Sequence, residues 1–319
     1  MIYGFDQWVF ESKGFPESLV SPSDHVYNFL LSKVNWWFNK KNKEDYSEKF
    51  IIDWRKIEEK NLDFPIKKIK IKFSINILDK SAPKYITASA FFYRGDLPKK
   101  YVLNILDSLS EIERNDVTPS IDINIDIGEN QKINMEKMKG ELNSSIRHEL
   151  THLYQMFKIR KKYGKNKGVW RNNPITWDLA VLGHEQSKTF SDLLDITYFL
   201  ITREEFDASL AEVTVGDNVR VQSKRKLINK FKEISPEKLI KLVRREMEEF
   251  YPDSDLEDIP KVFLEEYEKD CRKHRISPLK WALKLRNKNF DGFITSLLDI
   301  VKFKGDKWMK KSNKIQYGE

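Results

Sequence analysis

The sequence predicts an α+β protein: a small sheet packed on one long helix, then a mostly helical carboxy-terminal region. Two observations carry this. Before residue 133, isoleucines alternate with charged or amide residues, as in "IKKIKIKFSINIL" and "PSIDINIDIGEN", and a two-residue period is that of a half-buried strand. Beyond residue 133, apolar residues recur three and four apart nearly to the end of the chain, the period of a helix with one buried face.

Residues 1–60 read as an amino-terminal helical and aromatic region, with helices expected over 23–39 and 46–60. Trp36, Trp37 and Phe38 stand together before a basic turn and are expected to cap one side of a core. The next domain covers 61–216. Its strands are expected at 66–78, 84–95 and 119–128, with a helix over 99–114 on which Val102, Ile105, Leu106 and Leu109 share a face. A helix over 133–162 packs on this sheet. Breaks are expected at 164–175, Gly183, Gly216-Asp217, 235–236, 251–255 and Pro278, each marked by Gly, Pro or clustered turn formers. The seam at 216–219 opens a basic helical region over 217–319, interrupted by the acidic "EEFYPDSDLEDIP".

Composition excludes several classes. With 40% hydrophobic and 13% aromatic residues, the chain has enough apolar material for a sizeable core and is not of the disordered type. The net charge is +8, from 57 basic against 49 acidic residues, too mixed to indicate a nucleic-acid partner. Cys271 is the single cysteine, so an intrachain disulfide or a multi-cysteine metal site is excluded, and it reads as a structural thiol. The first residues lack the basic flank and apolar run of a secretion signal. No stretch has the length and apolarity of a membrane span; "DLLDITYFLIT" comes nearest and carries two aspartates. The expectation is a soluble protein in a cytoplasm, or in a particle assembled there.

One segment carries chemistry. "SSIRHELTHLYQ" contains His148-Glu149-Leu150-Thr151-His152. On a helix, Ile146, Leu150, Leu153 and Phe157 form a narrow apolar stripe that faces a core. His148 and His152, four apart, stack on a face nearly opposite, where both imidazoles can reach one cation. Glu149 lies about 100° round the helix from His148, beside the ion and placed to hold a water on it. That is why a metallopeptidase spaces these residues as H-E-x-x-H. Histidine occurs only five times in this chain, and the pattern would arise by accident in roughly one chain in a hundred of this composition. His25 and His274 have no such neighbours and read as structural.

A catalytic zinc takes three protein ligands and keeps one position open. The pattern HExxHxxGxxH is excluded, because Gln155 and Lys158 occupy its last two fixed positions. The third ligand must therefore come from farther along. Downstream, "TREEFDASLAE" offers Glu204, Glu205 and Glu212, and "VLGHEQS" offers His184. His184 and Tyr198 are also candidate donors to a developing oxyanion.

His148-Glu149-x-x-His152 followed by Glu205-Phe206-Asp207-Ala208 resembles the glutamate zincins, or gluzincins, over residues 142–213. The second motif is similar to the E-F-x-A-D of CAAX-prenyl endopeptidases and HtpX-type peptidases, whose membrane spans this chain lacks. The resemblance implies a zincin-like small sheet over the H-E-x-x-H helix. It implies Zn2+ as cofactor and Glu205 on a second helix as third ligand. The closing aspartate, which supports a ligand histidine in that family, is replaced here by Ser209.

The expected function is therefore a soluble zinc metallopeptidase, with a protein or peptide as substrate. Glu149 serves as general base, and a peptide adds to strand 119–128 as to a sheet edge. Asp122, Asn124 and Asp126 would give that strand an acidic solvent side. The alternative is a structural or interaction protein on a zincin scaffold, such as a phage particle component with an assembly partner. It is motivated by the long segments on either side of the motif that carry no catalytic pattern.

Overall fold

In the computed structural model, which describes residues 17–41, 43–53, 68–78, 86–91, 119–128, 132–163, 187–216, 218–250, 256–273, 284–285 and 288–318, the alternating isoleucines form strands. These are β2 (Lys68–Leu78) and β4 (Ser120–Gly128), joined in one sheet by β1 (Tyr46–Asp53) and β3 (Ile86–Phe91). The order is β1-β2-β4-β3, with β1/β2 and β3/β4 antiparallel and β2/β4 parallel. The β2/β4 register sets Ile71 opposite Ile121, Phe73 opposite Ile123 and Ile75 opposite Ile125. All six side chains are fully buried, each contributing about 1.5–3 kcal/mol relative to exposure.

Two expectations are corrected here. The helix expected over 46–60 is instead β1 across 46–53. Tyr46, Phe50 and Ile52 suit a pleated surface, and pairing along β2 overrides the weak helical preference of the segment. Strand 119–128 is not an edge: β4 lies between β2 and β3, so both its sides are already hydrogen-bonded. Among the described residues, the edges are β1 and β3. On the Asp122 side of β4, Ser120 and Asp122 are buried, and Asn124 and Asp126 are half-buried. Asn124 accepts from Ser74 Oγ, and Asp126 from Asn76 Nδ2 at 2.7 Å.

Helix α1 (Glu17–Phe38) buries Leu19, Val26, Leu30 and Val34. Of the aromatic trio only Trp37 is core, its indole N–H donating to the Glu44 carbonyl at 2.8 Å; Trp36 is exposed. Helix α2 (Met135–Tyr163) carries the H-E-x-x-H segment and packs against α1 and β3. The helix expected over 99–114 lies outside the described residues.

The chain divides into two units. The first holds Met1–Val169, Asp207–Val221 and Ile315–Glu319; the second holds Trp170–Phe206 and Gln222–Lys314. The later helices are α3 (Lys188–Ile201), α4 (Arg203–Val213), α5 (Val219–Glu233), α6 (Pro236–Phe250), α7 (Ile259–Lys273) and α8 (Phe290–Tyr317). In the second unit, Phe190, Phe263, Phe290 and Phe293 form an aromatic core, with Trp308 edge-on to Phe199 at 5.7 Å. Ser187 caps α3 by accepting from Phe190 N–H at 3.0 Å. Glu246 of α6 secures that cap by accepting from Ser187 Oγ at 2.6 Å, Thr189 Oγ1 at 2.7 Å and Thr189 N–H at 2.9 Å. No helix among the described residues is long and apolar enough to cross a membrane.

Candidate metal centre

The two faces of α2 have separate tasks. Ile146, Leu150 and Leu153 are fully buried, as the apolar stripe requires; the side chain of Phe157 lies outside the described residues. On the other face, His148 and His152 bring their Nε2 atoms to 3.0 Å of each other, with ring planes at 81°. Arg147 fixes the rotation of α2, donating to Thr214 Oγ1 at 2.6 Å and to Asp24 of α1 at 3.2 Å.

Helix α4 faces this pair. Glu205 stands on its first turn, in an unbroken helix whose residues from Asp207 onward belong to the first unit. A ligand atom from each of His148, His152 and Glu205 lies within 4.8 Å of the other two, so the three groups could hold a metal ion. Glu212 stands two turns farther along the same face of α4. It is not a member of that group: its Oε1 lies 2.9 Å from His148 Nδ1, the ring nitrogen that does not face His152. Its side chain is almost wholly buried.

Glu212 thus sets a negative charge against the Nδ1 side of the His148 ring, a close charge contact rather than a hydrogen bond. Gln155 Oε1 lies 3.0 Å from Nδ1 of His152, and each imidazole nitrogen donates or accepts according to the tautomer. Ligand atoms around a tetrahedral zinc, with bonds of about 2.0–2.1 Å, are separated by roughly 3.3 Å. The 3.0 Å between the imidazoles is close to this. The residues present could therefore hold a metal ion.

Glu149 is buried, with 5% of its surface exposed, and makes no hydrogen bond or ion pair among the described residues. Glu149 follows His148 directly on α2 and lies one turn before His152. Tyr198 is half-buried on α3, in the second unit. His184 and His274 lie outside the described residues, as does the side chain of Glu204. His25 is exposed on α1.

Sequence reasoning took Glu212 as a rival ligand and used Gln155 only to exclude a motif. Their roles as imidazole partners were signalled by spacing. Gln155 is one turn beyond His152, and Glu212 two turns beyond Glu205. Ser209, where the resembling family has its supporting aspartate, is fully buried. No protein-family model, curated protein or solved structure matches this chain.

Proposed function

We propose that the chain is a zinc-dependent metallopeptidase of gluzincin type. The observation that carries this reading is the convergence of His148, His152 and Glu205 next to Glu149, a largely buried residue. A zinc ion held by the first three would supply Lewis acidity, activating water near neutral pH and polarising a carbonyl. Glu149 accepts the proton of the attacking water and delivers it to the leaving amine. A peptide substrate pairs with β3, an edge strand of the sheet among the described residues that packs on α2, rather than with β4. His184 and Tyr198 remain the candidate donors to the oxyanion.

A second reading has its own observation. His152, Glu149 and Glu212 are 6%, 5% and 1% exposed, and closed metal sites are characteristic of structural zinc. On that reading the ion stabilises a scaffold and nothing is cleaved. Zinc content of the purified chain, measured together with turnover of an unfolded protein substrate, separates the two. Bound zinc with chelator-sensitive hydrolysis supports the peptidase. Bound zinc without hydrolysis supports the scaffold, and a chain that takes up no zinc refutes both.

A further inference from the structure

We infer that Glu212 is the positioning residue of the metal centre, that it fixes the orientation of the His148 ring, and that Arg220 in turn holds Glu212. The inference rests on the metal-binding part of the reading above and extends it to residues that neither the H-E-x-x-H motif nor the Glu205 motif contains. Three observations carry it. Glu212 Oε1 lies 2.9 Å from His148 Nδ1 and 3.4 Å from a guanidinium nitrogen of Arg220, so one oxygen serves both groups. Glu212 is 1% exposed, which means that it has given up water for these partners. The turn that brings Arg220 back to α4 is specifically built. Gly216 takes φ +97°, open to glycine at little cost, and Asn218 donates to the Glu212 carbonyl at 3.0 Å while accepting from Val221 N–H at 3.1 Å.

The chemistry follows from the geometry. An imidazole ligand rotates about two side-chain bonds, and Nε2 reaches an ion in few of the resulting orientations. The Glu212 charge held at the Nδ1 side limits that rotation before any ion arrives. With Ser209 at the position of the usual supporting carboxylate, this support comes from farther along α4, and it ties metal affinity to the start of α5.

The test measures metal binding rather than activity. Zinc affinity by chelator competition and the visible spectrum of the cobalt-loaded protein are compared for the parent, Glu212→Gln, Arg220→Gln and His148→Ala. Loss of a carboxylate partner of a ligand histidine weakens metal binding about 10–100-fold. Glu212→Gln is expected to fall in that range and to alter the cobalt spectrum. Arg220→Gln is expected to show a smaller loss of the same kind, and His148→Ala to abolish tight binding. Unchanged affinity and spectrum in Glu212→Gln, beside a His148→Ala variant that no longer binds, would overturn this inference and leave the metal site standing. A parent chain that binds neither metal overturns both. Arg220→Gln gives a reading that needs no folded Glu212 variant: affinity and spectrum equal to those of the parent would overturn the part assigned to Arg220.

Discussion

Glu205 and Glu212 stand on one face of α4 and meet the same histidine pair in different ways. Glu205 shares the ligand group, all within 4.8 Å, whereas Glu212 lies 2.9 Å from Nδ1 of His148. One helix thus supplies both a candidate ligand and a partner for another ligand.

Glu149 belongs to neither role, so it can be changed without disturbing the ligand set. Glu149→Gln keeps the shape of the side chain and removes the base. Zinc content and thermal midpoint should stay near those of the parent, while hydrolysis of an unfolded protein falls at least ~10²-fold. A variant as active as the parent would remove Glu149 from the mechanism.

Metal removal should destabilise the first unit by linkage. At free zinc of about 100 times Kd, binding contributes about 2.7 kcal/mol to the folded state. Chelation should accordingly lower the thermal midpoint of the parent. It should leave that of His148→Ala unmoved, because that variant has no tightly bound ion to lose. Differential scanning calorimetry with and without chelator checks both.

Glu246 makes the second unit sensitive to acid. Burial alone would raise its pKa, but hydrogen bonds from Ser187 and Thr189, with help from the charge of Lys230, hold it below the usual carboxylate range. A folded-state pKa lower than the unfolded one contributes stability that is fully present above the unfolded value, about 4.3. That contribution disappears as pH falls through the folded value. Glu246→Gln should cost about 1–3 kcal/mol at pH 7 and progressively less below pH ~4. Urea unfolding at a series of pH values would display the converging curves.

Gly305 lies against Ile228 in the second unit, and a Cβ built on it would meet Ile228 Cγ2 at 2.7 Å. Alanine is normally the better helix residue by about 1 kcal/mol. Here the fully buried Ile228 must move to admit it, so Gly305→Ala should destabilise by about 1–3 kcal/mol. Equilibrium denaturation of that variant gives the sign directly.

Much of this architecture was legible in the residues because it rests on periodicity. The isoleucine alternation placed β2 and β4 nearly to the residue, and the helical stripe through Ile146, Leu150 and Leu153 assigned the buried face of α2 correctly. Two histidines four apart then had to share the other face. What periodicity does not carry is partnership. Phe50 and Ile52 become a strand because β2 lies alongside them, and nothing within residues 46–53 announces that neighbour. The same holds for the interior position of β4, since strand order depends on pairings across the sheet. Glu212 was visible as a carboxylate on the right face of α4. Which nitrogen it would reach depends on the separation of two helices, and no spacing along the chain encodes that distance.

The parallel pairing of β2 with β4 also sets a timetable. Ser74 and Asn124, hydrogen-bonded across that pair, are 50 residues apart in sequence. The central ladder cannot close until that length of chain has come round, and the entropy of doing so is lost before any contact is made. Helices α5 and α6, by contrast, are separated by only Ile234 and Ser235, and contacts so near in sequence form early. Refolding from denaturant should show helical signal first and burial of the sheet core later. The platform that presents His148 and His152 would then be among the last parts of the molecule to become competent for an ion.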